Sequence, residues 1–292
     1  MEMKQSLLSA LLLTGIMFIA EAQINTPIPS PSGSVSSTVG LTDIKIDYFR
    51  PGVKGRKIFG TGDQFLEQYG VVWRTGANGG SVVSFSTDLK IAGQEVKAGD
   101  YQIVSRPGKD EWEVMFITEM IGGNMTNYKE DIVAAKAKVK PMATAANVER
   151  LTFQIANISE DNTTADIQFS WANVMWNVPV SVEYDETVMK EIAEKTQVNP
   201  ANYMQAANYY VAAGKDLDQA LAWVNAYLAV GNNSAQFWNV HTKARILAML
   251  GKDKEAIATA KDSIEKAKAR GEGNDFGYVK RNEDLIKEIK GK

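Results

Sequence analysis

Cysteine is absent from the 292 residues, and histidine occurs once, as His241. No disulfide, thiol nucleophile or thiolate metal site can therefore be built from this chain. A zinc centre with two or more His ligands is excluded, and a Ser-His-Asp triad would have to use His241. Charge of one sign is also lacking. Lys plus Arg number 32 and Asp plus Glu 35, a formal net charge of -3, so there is no basic footprint for nucleic acid and no polybasic membrane anchor. A Walker A pattern and a Rossmann pattern are both missing. After the first two dozen residues no long apolar run follows, so no membrane span is expected there.

What is present begins with an export signal. Lys4 supplies a positive start, Leu7 to Ala20 is almost unbroken apolar sequence, and Ala20-Glu21-Ala22 is a small-x-small cleavage site. That run is about 14 residues, short of the roughly 20 a spanning helix needs. Residues 1–22 are read as a signal peptide cleaved after Ala22, leaving an exported protein, periplasmic or extracellular and soluble. With no cysteine after the apolar run, lipid attachment at that point is excluded. Residues 23–37, rich in Pro and Ser, are expected to form an extended, poorly packed lead-in.

From residue 38 to 185 the pattern has period two, broken by turn residues. Ile44, Ile46 and Tyr48 alternate with polar residues, as do Val83 and Phe85, and Trp112, Val114 and Phe116. Leu89 to Val96 folds over an Ala92-Gly93 turn, and Tyr101, Ile103 and Ser105 follow. Later come Ala135, Ala137 and Val139; then Leu151, Phe153 and Ile155; then Ala165, Ile167, Phe169 and Trp171; then Val174, Trp176, Val178, Val180 and Val182. Pro179 in the last of these suggests an edge strand or a bulge. Eight or nine short strands with tight turns and no crossover helices imply antiparallel pairing. One apolar face per strand calls for a second layer, so a β-sandwich or distorted barrel is expected. Trp73, Trp112, Trp171 and Trp176 are expected in its core.

Residues 186–292 read as α-helical, rich in Ala, Lys, Glu and Leu, so the whole chain is an α+β multidomain protein. Asn199-Pro200 is a helix start. Ala207, Tyr210 and Gly214 recur as Ala244, Leu247 and Gly251, each 37 residues on. Small residues at helix contacts, with Gly ending the first helix of each pair, resemble a tetratricopeptide-type hairpin array, whose usual period is about 34. An unrelated helical bundle is the alternative. Such an array would contact a protein partner or pack within the molecule.

Several blocks resemble the DUF2911 family: Thr42 to Pro51 (TDIKIDYFRP), Gly55 to Gly60 (GRKIFG), Tyr69 to Asn78 (YGVVWRTGAN), and the stretch from Ile91 through Trp112 with Ala98-Gly99-Asp100-Tyr101. The likeness covers about residues 30–185. It implies an exported bacterial protein of unknown function, so it adds to location and domain limits rather than to mechanism. Where members of that family usually follow GAN with an acidic residue, this chain has Gly79-Gly80. It also lacks the Trp that often stands near Gly122-Gly123.

The candidate ligand site is the Trp73 to Gly80 loop. Its Gly-rich turn would expose backbone N–H groups, and Arg74 suits a carboxylate or phosphate. Arg50 and Arg56, with Arg74 and Asn78, would make a cationic pocket for a small anionic or carbohydrate ligand; the alternative is that they are loop anchors. Asp47, Asp110 and Glu113 are the carboxylates to weigh for acid–base chemistry. Asp161 and Asn162 match no EF-hand pattern, and His241 reads as a packing or surface residue. No catalytic residue, cofactor or metal ligand is assigned. The reading is a non-enzymatic ligand- or protein-binding module, with a hydrolase-type enzyme built around the WRTGAN loop as its alternative. If the three arginines and Asn78 converge beside a carboxylate, a site is favoured. If each is spent on backbone carbonyls or ion pairs, it is not.

Overall fold

The structure is a computed structural model and describes residues 26–271 and 273–291. The signal segment expected at residues 1–22 lies outside the described residues. The chain divides into two units, the first ending at Glu183 and the second starting at Tyr184.

The first unit is built from antiparallel sheets. Six strands lie in one sheet in the order β1 (Ser32–Val39), β2 (Thr42–Phe49), β5 (Ser81–Phe85), β8 (Gly99–Arg106), β9 (Trp112–Ile117) and β10 (Val133–Val139). Four lie in a second sheet: β11 (Met142–Ala156), β12 (Thr164–Ser181), β6 (Leu89–Ile91) and β7 (Gln94–Val96). A short pair, β3 (Lys57–Gly60) and β4 (Phe65–Gln68), is parallel. That pair departs from the all-antiparallel expectation; its four-residue connection is far shorter than the crossover a parallel pair within a larger sheet requires.

The two larger sheets do not close into a barrel, which removes one of the two expected shapes. Side chains and loops link their edges instead. The Gln94 amide on β7 donates to the Lys136 carbonyl on β10 (2.6 Å) and accepts from the Lys136 N–H (3.2 Å). On the other side, Val53 N–H donates to Glu149 C=O (2.8 Å) and Leu151 N–H to Pro51 C=O (3.1 Å).

Rings from the two larger sheets and from β3 meet in one aromatic core. Trp73, Trp112, Trp171 and Trp176 are all buried there, as their patterning predicted. Phe169 and Trp176 stack at 4.9 Å, and Phe59 on β3 meets Trp112 edge-on at 4.8 Å. The indole N–H groups of Trp73, Trp171 and Trp176 have no hydrogen-bond acceptor, so these rings contribute through burial and ring packing.

The two apolar stripes of 165–171 and 174–182 belong to one strand, β12, not to two. Their phase changes because Ala172 adopts φ 54°, a bulge that turns both halves inward. Beyond Met175 the strand has lost β11 as a partner, so Pro179, which has no N–H, leaves no ladder bond unmade. The lead-in also yields a strand: β1 pairs with β2 along its whole length, though only Val39 is buried.

β8 and β9 are buried on both faces. On the second face Val104, Met115, Ile117 and Ile132 form a small cluster, joined by Val72, Ile121, Met125 and Tyr128. The excursion from 118 to 132 thus lies against the sheet next to the segment that carries the WRTGAN loop.

Among the described residues the second unit has six α-helices: α1 (Asp185–Val198), α2 (Tyr203–Ala212), α3 (Leu217–Leu228), α4 (Phe237–Met249), α5 (Asp253–Lys268) and α6 (Tyr278–Lys290). Two hairpins, α2–α3 and α4–α5, repeat one stop signal. Gly214 and Gly251 take φ 61° and 71°, and the next residue donates back to the carbonyl four residues before the glycine, Lys215 to Tyr210 and Lys252 to Leu247, both at 2.9 Å. Ala207, Ala220, Ala244, Ala256 and Ala260 are fully buried where the helices approach. Asn199 caps the turn at Pro200, its side chain accepting from Ala201 N–H at 2.9 Å.

His241 is half-buried and joins a polar chain across α4, α5 and α6. Asn282 donates to Ser263 Oγ (3.0 Å) and to Tyr278 C=O (2.7 Å). Its Oδ1 is thereby left to accept from His241 Nδ1–H (2.8 Å). Ser263 in turn donates to Phe237 C=O (2.8 Å).

Candidate functional site

The WRTGAN loop is pinned before it turns. Gly70 N–H donates to Pro107 C=O, and Trp73 exchanges both backbone bonds with Ser105 on β8, at 2.7 and 2.9 Å. The chain then bends sharply. Thr75, Gly76, Asn78 and Gly80 all have positive φ, 50°, 151°, 52° and 87°. For a β-branched residue such as Thr75 that is a true outlier, a strain of about 1–3 kcal/mol that the surroundings must hold in place. The holding groups are buried hydroxyls. Thr75 Oγ1 donates to Ser105 Oγ (2.8 Å), and Ser81 Oγ donates to Thr75 C=O (2.5 Å).

A second loop is clamped beside it. The buried Gln102 amide donates to Gly122 C=O (2.8 Å) and accepts from Gly122 N–H (2.9 Å). A side chain at Gly80 would lie 2.8 Å from that amide and 3.1 Å from the Arg74 carbonyl. One at Gly123 would lie 2.8 Å from the Asn78 carbonyl and 3.8 Å from Arg74 Cδ. The two loops therefore meet backbone to backbone, with the Arg74 stem running along the seam.

The four residues singled out from the sequence separate at this point. Arg74 and Asn78 lie at the seam. The Arg50 guanidinium is drawn to β11, donating to Leu151 C=O (3.2 Å) and Thr152 Oγ1 (3.1 Å). Arg56 closes its own turn, donating to Val53 C=O (3.1 Å) and Gly52 C=O (2.5 Å). These two arginines serve as loop anchors. Arg74 does not: among the described residues its buried Nε–H has no acceptor. The Asn78 side chain is exposed.

One acidic residue that the sequence did not flag completes the group. Glu67 on β4 is half-buried and, among the described residues, accepts no hydrogen bond. Desolvation pushes its carboxyl up to about 7, while the positive charges of Arg74 and Arg56 pull the other way. Nothing in Phe65-Leu66-Glu67-Gln68 marks it, since a lone acid beside a turn has the look of a solvated residue. The carboxylates weighed from the sequence lie elsewhere. Asp47 pairs with Lys45 at 2.8 Å, and Glu113 pairs with Arg106. Among the described residues no group of three His, Asp or Glu is placed to hold a metal ion, and no helix is long and apolar enough to cross a membrane.

These features define a two-unit protein: an antiparallel β-sheet unit with a strained arginine loop, followed by a unit of helical hairpins. The sequence model of a family described as a protein of unknown function (DUF2911) matches residues 30–180. That span exceeds half of the chain, and the chain belongs to the DUF2911 family. No curated protein and no solved structure matches it.

Proposed function

We propose that this chain is an exported, non-enzymatic binding protein whose β unit takes a small ligand at the seam between the WRTGAN loop and the loop at Gly122-Gly123. The observation that carries the reading is Arg74. A buried guanidinium N–H with no acceptor costs about 1–3 kcal/mol, and it stands in a loop held under backbone strain. Strain and an unspent donor together are what a preorganised binding loop requires. Export follows from the reading of residues 1–22. The two larger sheets are read as a β-sandwich. The helical unit is read as a short tetratricopeptide-like array that contacts a protein segment, supported by the repeated Gly-Lys-Asp at 214–216 and 251–253.

Native mass spectrometry of the exported protein, wild type against Arg74→Gln, tests this reading. A small molecule retained by wild type and lost from the folded variant is the expected result. Equal retention by both would remove the loop from consideration.

The hydrolase alternative has one observation in its favour: a carboxyl near 7 is suited to general acid–base work at neutral pH. Against it, no hydroxyl, imidazole or second carboxylate is hydrogen-bonded to Glu67. Glu67→Gln should leave any hydrolysis of chromogenic esters or glycosides unchanged if the binding reading holds.

A further inference from the structure

Phe276 is the most exposed large apolar side chain among the described residues, at 70%, and it takes φ 48°. A bulky residue in the left-handed region is an outlier that its surroundings must hold. It lies in the loop between α5 and α6, and its ring leans on buried Phe237 of α4, nearly parallel at 6.5 Å. Tyr278, at the start of α6, meets Phe237 edge-on at 5.5 Å and His241 at 5.4 Å. The Arg281 guanidinium lies over the Tyr278 ring at 4.7 Å. Arg245 stands one helical turn beyond His241 on α4, and its charge and that of Arg281 both act on the imidazole. Exposed Phe276, Arg245 and Arg281 thus border one patch of rings where α4 meets α6.

The patch is seated from below. Buried Asn282 ties together Tyr278 C=O, Ser263 and His241, so the rings are held in place. Nearby ion pairs engage lysines, Lys266 with Asp262 and Lys280 with Asp284. Among the described residues Arg245 and Arg281 have no acidic partner. A guanidinium stacked on a tyrosine still presents its N–H edge to an acceptor, and Tyr and Arg are the side chains on which binding energy concentrates.

Resting on the reading of the helical unit as a protein-contacting array, we infer that this face of α4 and α6 docks a short acidic peptide segment, its carboxylates on Arg245 and Arg281 and an apolar side chain against Phe276. Charge complementarity selects the occupant. The two arginines favour carboxylates. Glu283, Asp284 and Glu288 stand exposed farther along α6 and repel a long polyanion such as nucleic acid.

Selection of a random phage-displayed peptide library on the full chain tests this, with a fluorescein-labelled copy of the enriched sequence titrated by anisotropy. Enrichment of an acidic residue next to a large apolar one is expected. Arg245→Gln and Arg281→Gln, both at exposed positions, should each weaken that peptide about tenfold, and added salt should weaken wild-type binding. Phe276→Gly accepts the left-handed backbone, so it should melt as wild type does while binding several-fold more weakly. A melt that falls with the affinity would make Phe276 a structural plug and overturn its docking role. Enriched peptides that lack acids, or whose binding ignores both arginines, would overturn this face yet leave the array reading in place. No enrichment at all would overturn the array reading and this inference with it. A labelled single-stranded oligonucleotide should not bind; tight binding through the same arginines would make the partner a nucleic acid instead.

Discussion

Truncating Trp176 to alanine removes the indole from the centre of the aromatic core. Trp176 is fully buried on β12. It stacks on Phe169 at 4.9 Å, meets Phe153 of β11 at 6.1 Å and reaches Trp112 of the six-stranded sheet at 6.5 Å. A buried tryptophan removes about 150–250 Å² from water, which at about 25 cal/mol per Å² amounts to roughly 4–6 kcal/mol. Since the indole N–H has no acceptor, no hydrogen bond is lost. Measured large-to-small substitutions of this kind cost about 3–5 kcal/mol, so about 4 kcal/mol is expected. In urea, with a slope of about 2 kcal/mol per molar, the midpoint falls by about 2 M. Near-UV circular dichroism follows the aromatic core directly. Trp176→Phe keeps a ring against Phe169 and should lose less than half as much. A Trp176→Ala midpoint unchanged within error would refute the packing that joins β12 to β9.

Two further perturbations address the helical unit and the loop clamp. Burial holds His241 below its ordinary 6.5, and Arg245 and Arg281 lower it further, while the Asn282 bond opposes them. The unfolded chain therefore binds the proton more readily, so stability is full above about pH 6.5 and falls as pH drops below it. Thermal melts of wild type against His241→Gln should show that loss in wild type alone; equal slopes would remove His241 as the cause. Gln102→Met leaves both the N–H and the C=O of Gly122 without partners, a cost of about 1–3 kcal/mol. Amide exchange at residues 118–124 should then accelerate while β9 stays protected, and no change there would contradict the clamp.

The parts of the fold that were legible share one trait: a buried face with a regular period. The stripe from Val174 to Val182 and the paired Gly214 and Gly251 are such signals. β1 was hidden because its serines pair through the backbone and bury almost nothing. β3 and β4 were too short to show alternation. The single strand β12 has the sequence pattern of two because the phase change at Ala172 depends on one backbone angle that composition does not encode.

The site divides in the same way. Arg74 and Asn78 share one loop, so local sequence brings them together. Arg50 is taken from them by Leu151 and Thr152, residues a hundred positions away, and no local pattern announces that contact. Glu67 and Gln102 matter only through where β4 and β8 lie, so their chemistry becomes visible once the strands are paired.

The most direct measurement is the electron density around the Arg74 guanidinium in crystals of the protein grown or soaked in sulfate. An oxyanion bound at the Arg74 guanidinium, with Thr75 still in its left-handed conformation, is the expected result. A guanidinium turned onto Glu67 or onto a backbone carbonyl, with no anion bound to it, would rule out Arg74 as the ligand-binding group.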